Sequence, residues 1–331
     1  MKKIVFVTCA LLAILASCTP SNEQLRFRAD GSFKILQLTD LHLQLFHPDQ
    51  VADVFARMDS LVSWTDPDLI AVTGDLIYSS PADSLMQLIV DRLDSYARPR
   101  AIVYGNHDHE HGLTHAELAA IITAGEHTIN TLNAAGSLAD FEIPVYSHRT
   151  PAFYLFFLDS HAYSTYNGSF SYAWFEPEQV EWVRTTASAH SHIPSVAFFH
   201  IPFPEYADAA SLCDLTPSLT KEIHLPTFNG TFGEWVCCPK FNSGMFDAMS
   251  QTGFIATFCG HDHDNDFAAT YRDMLLCYGR YSGSNSEYNH LPKGARVITL
   301  HSDGSLETHI LDASGTPSNH VLLNPSLPLD H

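Results

Sequence analysis

Phe33-Lys34-Ile35-Leu36-Gln37-Leu38-Thr39-Asp40-Leu41-His42 runs mostly apolar as far as Leu38, then stops on a carboxylate and an imidazole. The same pattern returns down the chain. Residues 68–72 form a short apolar run bounded by Pro67 and closed by Gly74-Asp75, and residues 101–104 lead into Gly105-Asn106-His107-Asp108. Apolar runs of this length between turn residues read as buried strands. Between them, residues 48–64 place Val51, Val54, Phe55, Met58, Leu61 and Val62 at helical spacing. Residues 81–96 do the same with Leu85, Leu88, Ile89 and Leu93. Strand, helix, strand, helix, strand at this spacing predicts a mostly parallel sheet with crossover helices.

Further out, residues 152–158, 195–199, 254–258, 274–278 and 295–300 read as strands. Residues 176–189 read as a helix with Pro177 in its first turn. Ser302-Asp303-Gly304-Ser305 is a hairpin signal between 296–301 and 306–311. The expected architecture is α/β, two sheets packed face to face with helices outside. Two more motifs follow strands: a lone His200, and Gly260-His261-Asp262-His263. Ligands gather at the carboxyl ends of strands in such sheets, so five loops can meet at one edge.

Each motif alone is a common turn or a satisfied core histidine; together, in this order, they supply ligands for two metal ions. Two neighbouring cations need a shared anion, and Asp75, with two carboxylate oxygens, is the candidate that could serve both. Asp40, His42 and His263 are assigned to one ion, and Asn106, His200 and His261 to the other. The oxygen and nitrogen set suits divalent or trivalent iron, manganese or zinc rather than calcium. A hydroxide held between the ions would attack phosphorus while the metals absorb charge. His107, next to a ligand, should point at the substrate as proton donor to the leaving group, with Asp108 holding its tautomer.

These motifs resemble those of the calcineurin-like metallophosphoesterases, over roughly residues 33–311. Phe199-His200-Ile201-Pro202, Asn242-Ser243-Gly244 and residues 260–267 look most like the purple acid phosphatase-like group. The resemblance implies a four-layer α/β/β/α sandwich of two mixed sheets and the same ligand roles. One departure stands out. True purple acid phosphatases carry glycine where this chain has His42, and use a tyrosine three residues past the bridging aspartate. Here Tyr78 keeps that spacing, yet His42 is present; His42 is taken as the ligand and Tyr78 as a packing neighbour, with no purple chromophore.

Around this core the remaining readings are simpler. Asp264, Asn265 and Asp266 either orient metal-bound histidines or cap a turn, and Arg280 is a candidate phosphate clamp with surface packing as the alternative. His109, His111 and His115 resemble a further metal cluster by spacing, but read as a solvated loop. Phe228, Trp235, Tyr163 and Tyr166 lie in loops that could wall a pocket, with specificity expected in 160–174 and 203–242.

The ends read separately. Residues 1–17 form a leader, with a basic start and an apolar stretch too short to stay in a bilayer. Leu15-Ala16-Ser17-Cys18 resembles a bacterial lipoprotein box, which implies lipidation at Cys18 and an exported, membrane-anchored protein. Residues 18–30 read as the tether, 31–313 as a single metallophosphoesterase domain and 314–331 as a tail. Of the later cysteines, Cys213 with Cys237 or Cys238 is a plausible disulfide, while Cys259 and Cys277 read as buried thiols.

The formal net charge is −20, and more negative once Lys2 and Lys3 leave. That surface excludes a general nucleic-acid binder and leaves the lipid anchor as the only membrane contact, but bound cations still allow a small phosphorylated substrate. The expected function is a phosphomonoesterase. A phosphodiesterase acting on cyclic nucleotides or phospholipid head groups shares the same metal core, and a non-catalytic binding lipoprotein is the rival of another class.

Overall fold

The structure is a computed structural model that describes residues 24–283 and 287–324. The expected leader and Cys18 lie outside the described residues. In chain order the first elements are Ser32–Leu38 (β1), Pro48–Thr65 (α1), Leu69–Thr73 (β2), Ala82–Asp94 (α2), Arg100–Val103 (β3) and His115–Ala124 (α3). Phe141–Ser147 (β4), Thr150–Phe157 (β5), Tyr163–Tyr166 (β6), Ser169–Tyr172 (β7), Pro177–Ser188 (α4) and Ser195–Phe198 (β8) follow. Then come Glu205–Leu212 (α5), Glu222–Leu225 (β9), Phe228–Thr231 (β10), Met245–Ser250 (α6), Phe254–Cys259 (β11), Ala268–Tyr271 (β12) and Met274–Tyr278 (β13). Gly294–His301 (β14), Leu306–Asp312 (β15) and Pro317–Leu323 (β16) complete the order.

One sheet has six strands in the order β16-β15-β14-β1-β2-β3, and the other eight, β4-β5-β8-β11-β13-β12-β10-β9. The crossover units make β1, β2 and β3 mutually parallel, as are β5, β8, β11 and β13. Alternation along β1 shows how one strand serves two layers: Phe33 and Ile35 enter the core between the sheets, Leu36 and Leu38 the core under the helices. Met58 and Leu61 of α1, Ile89 of α2 and Leu118 of α3 cover the outside of the first sheet. Val183 of α4, Tyr206 of α5 and Phe246 of α6 cover the second. Between the sheets, Phe198 stacks on Phe157 at 5.0 Å and on Phe258 at 5.2 Å. This is the expected four-layer α/β/β/α sandwich.

Three boundary and pairing expectations change. The segment read as a tail carries β16, which pairs antiparallel with β15. The end of the presumed tether is docked: Leu25 is buried, its carbonyl accepts from Tyr146 N at 2.9 Å, and Arg28 pairs with Asp68 at 2.9 Å. Cys213, Cys237 and Cys238 are free thiols, with Cys213 beside the Thr227 hydroxyl instead of a second sulfur.

Candidate metal centre

The motif loops leave the carboxyl ends of β1, β2, β3, β8 and β11, and so come from both sheets. Asp40, His42, Asp75 and His261 take left-handed backbone, with φ of 53°, 45°, 53° and 79°. Such conformations cost non-glycine residues about 1–3 kcal/mol each and gather at functional sites. Main-chain bonds lock the turns together, Asp40 N to Gly74 O and His42 N to Asp75 O, each at 3.0 Å. Gly105 permits the close approach, because a Cβ there would overlap the Asp75 carboxylate.

Two ligand clusters result, Asp40 with His42 and His263, and Asp75 with His200 and His261. Asp40 Oδ1 lies 3.5 Å from His263 Nε2 and 3.8 Å from His42 Nε2. In the second cluster, His200 Nε2 is 3.2 Å from Asp75 Oδ2 and 3.1 Å from Asn106 Oδ1. Asp75 Oδ2 is also 3.5 Å from His42 Nε2, so one oxygen faces both clusters. The other, Oδ1, accepts the His107 N–H at 2.8 Å. Asp75 would therefore offer Oδ2 to both clusters while Oδ1 is engaged by the main chain.

Backbone carbonyls orient the imidazoles. Thr73 O meets His200 Nδ1 at 2.7 Å and Glu287 O meets His263 Nδ1 at 2.8 Å, which leaves each Nε2 for its cluster. Both ring nitrogens of His42 and Nε2 of His261 are buried with no hydrogen-bond partner. Orphaned buried nitrogens are rare, and here they sit among carboxylates. The residues fit metal ions.

The electrostatics agree. Burial opposes charge on Asp40 and Asp75, yet the facing imidazoles hold both carboxyls below the usual range. Burial likewise works against charge on His200 and His263, but Asp75 lifts the first to about 10 and Asp40 the second to about 9. Burial drives His261 down to about 3.

His107 stands outside the clusters, its ring 5.5 Å from that of His42. Asp108 does not hold it. The Asp108 carboxylate turns inward and accepts the backbone N–H groups of Leu76 and Gly105 at 2.7 Å, Asp75 at 3.1 Å and Ile77 at 3.2 Å. Burial and the neighbouring Asp75 push its carboxyl up to about 7. It fixes the Asp75 turn; the partner of His107 is Glu110, with Nδ1 to Oε2 at 2.6 Å. Tyr163 donates its hydroxyl to Glu110 Oε1 at 2.8 Å and accepts from Asn106 Nδ2 at 2.9 Å. A chain of hydrogen bonds therefore joins a ligand, Asn106, to His107.

Glu110 was visible as a carboxylate one turn past His107. Tyr163, expected only as an aromatic that could wall a pocket, arrives on the β6–β7 hairpin, turned at Asn167-Gly168 with φ of 50° and 75°. The same hairpin sets Tyr172 edge-on to His261 at 4.4 Å. Tyr78 packs edge-on against His42 at 4.9 Å, and burial raises its hydroxyl pKa, the reverse of what a tyrosinate ligand needs.

Other expected residues are placed elsewhere. Arg280 is no phosphate clamp: it is 4% exposed, ion-paired with Asp266 and donates to Pro292 O at 2.7 Å. Asp266 also accepts from Thr231 N at 2.6 Å and Asn319 Nδ2 at 3.2 Å, so it ties β10 to β16 and orients no metal histidine. Asp264 pins His290, and Asn265 caps Gly233. Phe228 is core and Tyr166 packs on Phe241, whereas Trp235 lines the cavity at the site. His115 is stacked on Tyr104 at 4.6 Å, not solvated. Breaking a buried ion pair leaves an uncompensated charge, so Arg280→Met should lower unfolding free energy by about 3–5 kcal/mol in denaturant titrations. KM of the folded variant should not move, whereas loss of a phosphate clamp would raise it.

The chain belongs to the calcineurin-like phosphoesterase family, whose model matches residues 33–265. A protein of Arabidopsis thaliana named probable inactive purple acid phosphatase 28 is 30% identical over 301 residues, 78% of this chain and 72% of its own length. Phosphatase DCR2 of Saccharomyces cerevisiae is 28% identical over 292 residues, 78% of this chain and 49% of its own length. Among solved structures, a dimetal phosphatase from Danio rerio shares the fold with a TM-score of 0.61 at 11% identity, covering 89% of this chain and 99% of that one.

Proposed function

We propose that the protein is a phosphomonoesterase working with two metal ions, one in each cluster. The observation that carries this is Asp75 Oδ2, which faces His42 and His200 together. When bound, the ions would polarise the phosphoryl group and supply an acidified water. The chain does the rest. Asp40, His42 and His263 would hold one ion and Asn106, His200 and His261 the other, while Thr73 O and Glu287 O fix the rings of His200 and His263. His107, with Nδ1 held by Glu110, keeps Nε2 for the proton that the leaving oxygen needs; such assistance is typically worth about 10²–10⁴-fold. The Arabidopsis relative carries the word inactive in its name, but this chain keeps a full ligand set and His107, which favours turnover over a binding role.

The reading includes export and anchoring through a lipid on Cys18, with a small phosphorylated metabolite as substrate. Among the described residues no helix is long and apolar enough to cross a membrane. The test is relative turnover of p-nitrophenyl phosphate and bis(p-nitrophenyl) phosphate by manganese- or zinc-loaded protein, with metal content measured on the same sample. The monoester should be cleaved at least about tenfold faster. A reversed ratio would make the protein a phosphodiesterase, and inertness towards both would return it to the binding class.

A further inference from the structure

Beside the clusters lies a cavity of about 530 Å³, and among the described residues no lysine or arginine lines it. His42, 3% exposed and without a hydrogen-bond partner, reaches into it together with His107. Phosphate and leaving group therefore share one space. Its walls are aromatic and acidic. Trp235 and Tyr288 are 66% and 58% exposed. Glu234 and Asp262 have carboxylate oxygens within 4.8 Å of each other, and Glu287 adds a third acidic side chain.

We propose that this cavity receives the alcohol part of a phosphate ester bearing an ammonium group, as in choline phosphate or ethanolamine phosphate. The inference rests on the phosphomonoesterase reading and names its substrate class. With the phosphate on the clusters, the alcohol would sit in a space lined by Glu234, Asp262 and Glu287, with no lysine or arginine among the described lining residues. Aromatic faces beside carboxylates are the arrangement that binds alkylammonium groups. Esters with a second anionic group, such as nucleotides or sugar bisphosphates, would be repelled.

Glu234, Cys237 and Asp262 suit a substrate cation better than a third metal. Asp262 Oδ2 already accepts from Tyr278 at 2.5 Å and Cys237 N at 3.1 Å, and Glu234 Oε1 from Asp264 N at 2.8 Å. Burial also raises the Cys237 thiol, away from the thiolate a metal needs.

The test compares kcat/KM for choline phosphate with that for 3,3-dimethylbutyl phosphate, which has the same shape without the charge. The charged ester should be preferred about tenfold or more, and Glu234→Gln and Trp235→Leu should each pull the ratio towards one. A wild-type ratio of one overturns the inference and leaves the phosphatase reading standing. If neither ester nor p-nitrophenyl phosphate is turned over, the phosphatase reading fails, and choline alone then decides this point. Choline should quench tryptophan fluorescence of metal-loaded protein, and much less so in Trp235→Phe; no quenching in the wild type would refute the site.

Discussion

Asp75→Asn should empty both clusters together. The amide keeps the shape of the side chain and an oxygen for the His107 N–H, so the turn held by Asp108 survives. What goes is the anionic oxygen that lies 3.2 Å from His200 and 3.5 Å from His42. Two cations placed side by side would then repel each other with no shared anion between them, and at least one should leave. Even residues that merely orient metal ligands cost about 10–100-fold when altered, so a shared ligand should cost at least about 10³-fold in turnover. Elemental analysis after gel filtration should read one metal or fewer per chain. Two retained metals with near wild-type rates would remove Asp75 from the bridging position.

The second large effect is expected from His107→Ala, and it has a different signature. The clusters do not use the His107 side chain, so metal content should equal wild type. Turnover should fall by about 10²–10⁴-fold, and more steeply for alkyl phosphates than for nitrophenyl phosphate, whose leaving oxygen needs no proton. Glu110→Gln should show a smaller loss with the same dependence on the leaving group, because it acts through His107 as a positioning residue. If His107→Ala lost metals instead, the division of labour drawn from the 5.5 Å separation of the His42 and His107 rings would be wrong.

Much of this centre was legible because chemistry and local pattern coincide. Apolar runs marked β1, β2, β3, β8 and β11, and the ligand-bearing turn follows each of them directly in the chain. The elements that escaped notice have weaker periodicity. α3 begins at a capping box of Thr114 and Glu117 on a stretch that is apolar nearly all round, so no face stood out. β16 lies at a sheet edge with Asn319 alone buried and the rest half-buried or exposed, behind a turn that looked like the start of a tail.

Asp108 was misread because neighbourhood in the chain suggested a catalytic partner, and Arg280 because its guanidinium suits a phosphate; in the fold each is turned inward, one to backbone N–H groups and the other to Asp266. Glu110 and Tyr163 depend on contacts across 3 and 53 residues, and only the first distance is short enough to guess from spacing.

The ligands come from loops on both sheets, and the sheets meet through the stacked rings of Phe157, Phe198 and Phe258. The ions would then rivet two slabs whose mutual spacing is set by hydrocarbon packing remote from any ligand. A change in that filling, harmless to either slab alone, would alter the span the rivet must bridge. Defects there should surface as leakage of metal well before the molecule melts.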